Sequence, residues 1–159
     1  MAMTMKTVGL DEVMKQISDL EGNVEDVCSL ALYDGAAIIA NAFASGARSI
    51  RTAPFKYKKP KRLPSPEEKA ALIGKTGIAK FIKNGSEVNT LIGISSAAGY
   101  ADIGGHKKAV RLIARSINSG TSFMDKQPVF RKAKSSSQGA ATAAIISKAE
   151  KLLEELTNK

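Results

Sequence analysis

The stretch from Asn23 to Arg48 constrains this chain more than any other, because its apolar residues recur at helical spacing and need cover. Val24, Val27, Cys28, Ala31, Ile38, Ile39, Ala42 and Phe43 fall on one broad face, as an amphipathic helix requires. Asn23 is a good N-cap for it. Gly35 in its interior costs about 1 kcal/mol relative to alanine, so its expected use is the close approach of another backbone. Ala36, Ala37, Ala40 and Ala42 are similarly small. Such a helix suits tight packing on a sheet or a neighbouring subunit, and ordinary helix-on-sheet packing is favoured. Cys28, on the apolar side, is expected to be buried as a small hydrophobe.

Upstream, an alternating run over 4–8 reads as an edge strand that Gly9 breaks. Leu10, Val13, Met14, Ile17 and Leu20 then place an apolar stripe on a helix of about three turns, with Asp11 and Glu12 in its first turn and Gly22 at its end. Downstream, TAPFKYKKPKRLPSPEE, with four prolines and a lysine–arginine cluster, marks an exposed basic loop at about 52–65. Ser65, Pro66 and Glu68 form a capping box that starts a short helix reaching about Ile73. Residues 76–82 and 87–95 read as two strands joined through Asn84 and Gly85. A glycine-rich loop leads to a short basic helix with Val110, Leu112, Ile113 and Ile117, closed by Gly120. Ser135 and Gln138 suggest the capping box of a last helix, with Ala141, Ile145, Ala149, Leu152 and Leu156 along one stripe. The whole predicts a single α+β domain over 1–159, with long N- and C-terminal helices packed on a small antiparallel sheet.

The net charge of +9 is unevenly placed: residues 1–50 carry −4, 51–83 carry +8, 107–134 carry +7, and the stretch from Ser135 is neutral. Two basic segments of this kind attract nucleic acid or an acidic protein surface. The basic loop interleaves Lys56, Lys58, Lys59, Lys61 and Arg62 with Phe55 and Tyr57, a mixture that can pair phosphates and stack on bases. Enzymatic chemistry has little to draw on. The one histidine, His106, and the one cysteine, Cys28, are far apart in sequence and are too few for a zinc site. His106 is expected in an exposed loop. The GKTG at Gly74 has only part of a phosphate-binding loop. No run approaches the roughly 20 apolar residues of a membrane helix, and the N-terminal MAMTMKT lacks the apolar run of a signal peptide. The expectation is a non-enzymatic protein with no cofactor, metal or membrane.

The order of several short motifs carries a resemblance. VGLDEVMKQISDL stands first, then the alanine-rich helix ending near RTAPF, then TGIAKFIK, NTLIGIS and GYA, and finally SGTSFMDKQPVFRKA before the last helix. This order resembles the head–tail joining or tail-completion proteins of long-tailed bacteriophages and prophages, over nearly the whole chain. The most telling pieces are GLDEV and the series Gly120, Thr121, Gln127, Pro128, Phe130 and Ala133. The stretch from Lys56 to Lys75 is longer than usual in that family. Asn118 and Ser119 stand where a glutamate commonly precedes the glycine–threonine turn, and KKAVRLIARS is an extra segment.

The resemblance implies a small α+β subunit of a homo-oligomeric ring, a hexamer to match the six-fold tail tube. It would be assembled in the host bacterial cytoplasm and sit in the virion at the head–tail junction, against tail-tube and head-connector proteins. Within such a ring the basic loop, with Lys56, Tyr57, Lys58, Lys59, Lys61 and Arg62, would meet an acidic surface of a neighbouring connector or tail protein, the favoured role, make transient contact with genomic DNA, or stay disordered until assembly. The alternative is a small basic nucleic-acid-binding module.

Overall fold

The computed structural model describes residues 24–54, 61–84, 87–94 and 98–157. The expected strand over 4–8, the helix over 10–20, the Asn23 cap and Lys56, Tyr57, Lys58 and Lys59 lie outside them. In chain order the elements are α1 (Val24–Arg48), α2 (Pro66–Ala70), β1 (Thr76–Ile78), β2 (Ile82–Asn84), β3 (Glu87–Asn89), β4 (Ile92–Ile94), β5 (Tyr100–Ile103), β6 (His106–Ala109), α3 (Val110–Ser119) and α4 (Val129–Thr157). The class is α+β, with two long helices and short antiparallel ladders.

The most extensive contact is between α1 and α4. They run antiparallel, since Gly35 faces Ala141 and Ile145 while Gly46 faces Val129 and Ala133. The small residues of α1 thus serve chiefly a helix–helix seam, and the sheet touches the same helix through β1 and β4. Val27, Ala31, Ala36 and Ala141 are buried along the seam, and Phe43 meets Phe130 edge-on at 5.7 Å. Cys28, expected inside, is exposed. Leu30 and Tyr33 are each 52% exposed. By length and composition Asp26–Arg48 is apolar enough to cross a membrane, with mean hydropathy 1.5, yet only 22% of that stretch is buried. The sequence expectation of no such run is corrected on that point: alanines and the Ile38–Ile39 pair raise the average without forming an unbroken block of large side chains.

The last helix begins at Val129, six residues before the expected start. Ser135 is inside it, and its Oγ donates to the Arg131 carbonyl at 3.2 Å instead of capping. The first turn is capped from a distance: Asn118 Oδ1 accepts from the backbone N–H groups of Phe130 and Arg131 at 3.2 and 3.3 Å, satisfying donors that a helix start leaves open.

The strands form three two-stranded antiparallel ladders. β1–β4 and β2–β3 are successive parts of one hairpin whose register shifts between them, because residues 79–81 on one side face 90–91 on the other. That extra residue is a bulge. Ala79 N–H donates to the Leu91 carbonyl at 2.8 Å beside it. Asn84 pairs with Glu87, so the connecting residues are Gly85 and Ser86, one position later than expected and outside the described residues. Tyr33 of α1 meets Phe81 edge-on at 6.5 Å, which docks this hairpin on the helix.

The segment expected as a glycine-rich loop is a second hairpin, β5–β6. Gly104 and Gly105 turn it with φ of 60° and 79°, the positive pair that a tight two-residue turn favours. Asp102 Oδ1 accepts from Gly105 N–H at 2.9 Å. α3 follows at once, and Gly120 ends it with φ 75°. The main core gathers Ala47, Ile50, Leu72, Ile103, Val110, Ile113, Ile117 and Met124. Leu112, expected on the apolar face of α3, is 53% exposed.

Candidate partner-binding face

The site is built outward from one buried carboxylate. Ser65 caps α2, accepting from Glu68 N–H at 3.2 Å, and its own N–H donates to Glu68 Oε2 at 2.9 Å. This is the expected capping box, and Pro66 fills the first helical position. The local geometry turns Glu68 inward, where it is 2% exposed. Arg62 answers it with two parallel bonds, Nη1 to Oε2 and Nη2 to Oε1, both 2.7 Å, the paired geometry that makes arginine–carboxylate contacts strong. Lys108 Nζ approaches Oε1 at 3.4 Å. Burial works to raise the Glu68 pKa, but the Arg62 hydrogen bonds, the Ser65 N–H and the charges of Arg62 and Lys108 together outweigh it. The carboxyl is held below its ordinary value.

The ion pair locates the end of the basic loop. Arg62 N–H donates to the Phe123 carbonyl at 3.0 Å, and Asp125 N–H donates to the Arg62 carbonyl at 2.9 Å. Pro64 and Ser65 are buried, so the C-terminal end of the loop is less exposed than its composition predicts. Lys61 remains exposed, while the Arg62 side chain is only 12% exposed. Arg62 therefore serves first as an internal brace.

The two basic segments meet here. A groove of about 420 Å³ lies between Arg62, the β5–β6 hairpin with Lys107 and Lys108, the α3 face with Arg111 and Leu112, and Phe123. Its floor includes Ile113 and Met124, both buried. Tyr100 at 75% exposure and Phe123 at 57% stand at its rim. Glu68 is matched by Arg62, which leaves Lys107, Lys108 and Arg111 to give the groove a positive balance. Cationic groups around an apolar floor suit a partner that brings both carboxylates and apolar side chains.

The series Gly120 to Ala133 forms the hinge-like corner behind this groove. Thr121 Oγ1 accepts from Phe123 and Met124 N–H at 3.3 and 3.0 Å, fixing the turn. A side chain at Gly120 would press on Lys126 at 3.0 Å. Gln127 is 6% exposed and pairs with the Arg51 backbone in both directions, accepting from its N–H and donating to its carbonyl, each at 2.9 Å. Pro128 accepts from Lys132 N–H at 3.0 Å in the first turn of α4. Phe130 and Ala133 pack against α1 through Phe43 and Gly46. These residues thus hold the corner where α1, α3 and α4 converge. Gln127→Leu is expected to lower stability by about 1–2 kcal/mol, read as a reduced urea midpoint, because it leaves both Arg51 backbone groups without their partner.

Sequence reasoning located Lys61 and Arg62 but missed Tyr100, Lys107, Lys108, Arg111 and Phe123. The paired glycines Gly104 and Gly105 were the available signal for the hairpin that brings Tyr100 and the two lysines together. His106 is exposed at the start of β6, in a strand and not the expected loop. Among the described residues no three His, Cys, Asp or Glu side chains stand close enough to share a metal ion. Comparison of the chain with protein-family models, with curated proteins and with solved structures finds no match.

Proposed function

We propose that this chain is a structural assembly protein, a non-enzymatic subunit that completes a phage tail and helps join it to the head as part of a homo-oligomeric ring. The observation that carries the reading is the groove itself. Both basic segments, about forty-five residues apart between Arg62 and Lys107, converge on a face with three large apolar or aromatic side chains exposed beside it: Tyr100, Leu112 and Phe123. That is the composition of a protein-binding surface. The order of the sequence motifs, from GLDEV to the Gly120–Ala133 series, supports the choice of phage head–tail joining. A closed ring needs two different matching surfaces on each subunit, and Leu30 and Tyr33 of α1, each half exposed, offer apolar surface that is not part of the groove lining.

Light scattering across concentration and salt tests the reading. A species of about 101 kDa, six times the 16.8 kDa chain, is the expected result. A monomer under every condition that binds DNA at low salt and releases it as salt rises would favour the nucleic-acid-binding alternative, which the pairing of Tyr100 and Phe123 with nearby cations also suits. Recovery with lipid vesicles at high salt would assign the apolar stretch of α1 to a bilayer instead.

A further inference from the structure

We propose that the groove between α3 and the β5–β6 hairpin is the seat for residues 10–21 of a neighbouring copy of this chain. The inference rests on the reading that copies assemble, and it names what one copy offers the next. Residues 10–21 carry Asp11, Glu12, Asp19 and Glu21 against Lys15 alone, together with the apolar stripe of Leu10, Val13, Met14, Ile17 and Leu20. The groove has the reciprocal character, with Lys107, Lys108 and Arg111 around an apolar floor of Ile113 and Met124. Opposite charges of this kind fix partner and register, while the apolar stripe supplies buried area.

The geometry excludes the chain's own groove for a helical segment. α1 has 25 residues and is therefore about 37 Å long. The groove lies toward its C-terminal end, since Arg111 lines both the groove and a pocket that Phe43 of α1 lines, and the loop that supplies Arg62 is tied there by Ala53 N–H donating to the Pro64 carbonyl at 3.0 Å. In sequence, residues 10–21 join α1 at its other end, two residues before Val24. As a helix they span about 18 Å, and the two-residue link before α1 adds at most about 7 Å. That falls short of the groove, so the segment reaches only another copy's. The open side of α1 is within reach, but its N-terminal half carries Glu25, Asp26 and Asp34 and no lysine or arginine from 24 to 40. Laying a segment of net charge −3 along it would set like charges side by side, which is unfavourable. The groove offers the opposite sign. The contact is heterologous, one surface of a subunit meeting a different surface of the next, as ring closure requires.

Two full-length chains with different tags test this, both with Cys28→Ser, one with Ile17→Cys and the other with Leu112→Cys. A short bis-maleimide is expected to join the two tags in one covalent dimer. Adding Lys107→Glu and Arg111→Glu to the Leu112→Cys chain should lower the yield at least about tenfold. Asp11→Lys with Glu12→Lys on the other chain should then restore it. The proposal is overturned if no mixed-tag dimer forms, if the yield ignores the charge reversals, or if Ile17→Cys joins Leu30→Cys of its own chain in place of Leu112→Cys. It is also overturned if the charge reversals abolish single-stranded DNA binding while no mixed-tag dimer appears. A six-copy mass without the cross-link sinks this contact and leaves the ring standing, whereas a monomeric mass without it removes both.

Discussion

Gly35→Val is expected to lower stability by roughly 2–3 kcal/mol, while Gly139→Ala, in the facing helix, raises it by up to about 1 kcal/mol. Both glycines lie inside long helices, so intrinsic propensity favours a side chain at each. What differs is the space. At Gly35 a Cβ would lie 2.9 Å from the Ala141 carbonyl oxygen and would also strike the Ile145 side chain. Ile145 can change rotamer, but a backbone carbonyl moves only if α4 shifts, and that shift would propagate along the seam through Ala36, Val27 and Ala31. Gly139 has nothing within 4 Å of such an atom and is exposed, so only the entropic gain of losing glycine remains. Urea unfolding of the two variants beside the parent chain checks the pair. A midpoint for Gly35→Val equal to the parent's would mean that the α1–α4 contact is not a close backbone approach.

The same glycine illustrates what was legible in the sequence. Its cost in a helix interior is a local quantity, and a residue kept against propensity points to a crowded neighbour even when that neighbour is unknown. The neighbour's identity was not legible, because apolar spacing on α1 fits a sheet or another helix equally well. The capping box at Ser65 and Glu68 was readable for the same local reason. The start of α4 was not. Its first N–H groups are met by Asn118, more than ten residues upstream, so no serine or threonine is needed beside Val129, and the Ser135–Gln138 pair imitated a start. The β5–β6 hairpin was hidden by composition: His106, Lys107 and Lys108 give one strand a polar surface that alternation does not reveal. The groove inherits that blindness, since half of its positive charge sits on that strand. Arg62 was found but with the wrong first duty, because sequence spacing gave Glu68 a complete role in its own capping box and left no reason to assign it a cation. Cys28 shows the limit of face assignment near a helix end, where one residue of drift turns a side chain outward.

Glu68→Gln carries the largest expected loss, about 3 kcal/mol or more at neutral pH, since removing one charge of a buried pair strands the other. Glutamine keeps the shape and one carbonyl oxygen for the Ser65 N–H, so the helix start survives. It cannot accept both Arg62 bonds, and it removes the Glu68 charge from beside that guanidinium, which is 12% exposed. The effect depends on pH in a direction set by the lowered folded-state pKa of Glu68. A carboxyl whose pKa is lower folded than unfolded contributes stability that is fully present above the unfolded value, about 4.3 for glutamate. That contribution is lost as pH falls through the folded value. The gap between parent and Glu68→Gln should therefore be constant from pH 7 to about 5, then narrow as pH falls below about 4.3 and the parent's own carboxyl takes up its proton. Urea midpoints measured down that range decide it. A gap that persists unchanged into acid would mean that Glu68 acts through shape alone, and a gap absent at pH 7 would mean that Arg62 finds other company. The groove should follow the same titration. Below the folded pKa of Glu68 the brace loosens and the face becomes more positive, but the carboxylates of an acidic partner, ordinarily at about 3.9 to 4.3, take up protons at the same or higher pH, so acid weakens the brace without strengthening the pull on such a partner.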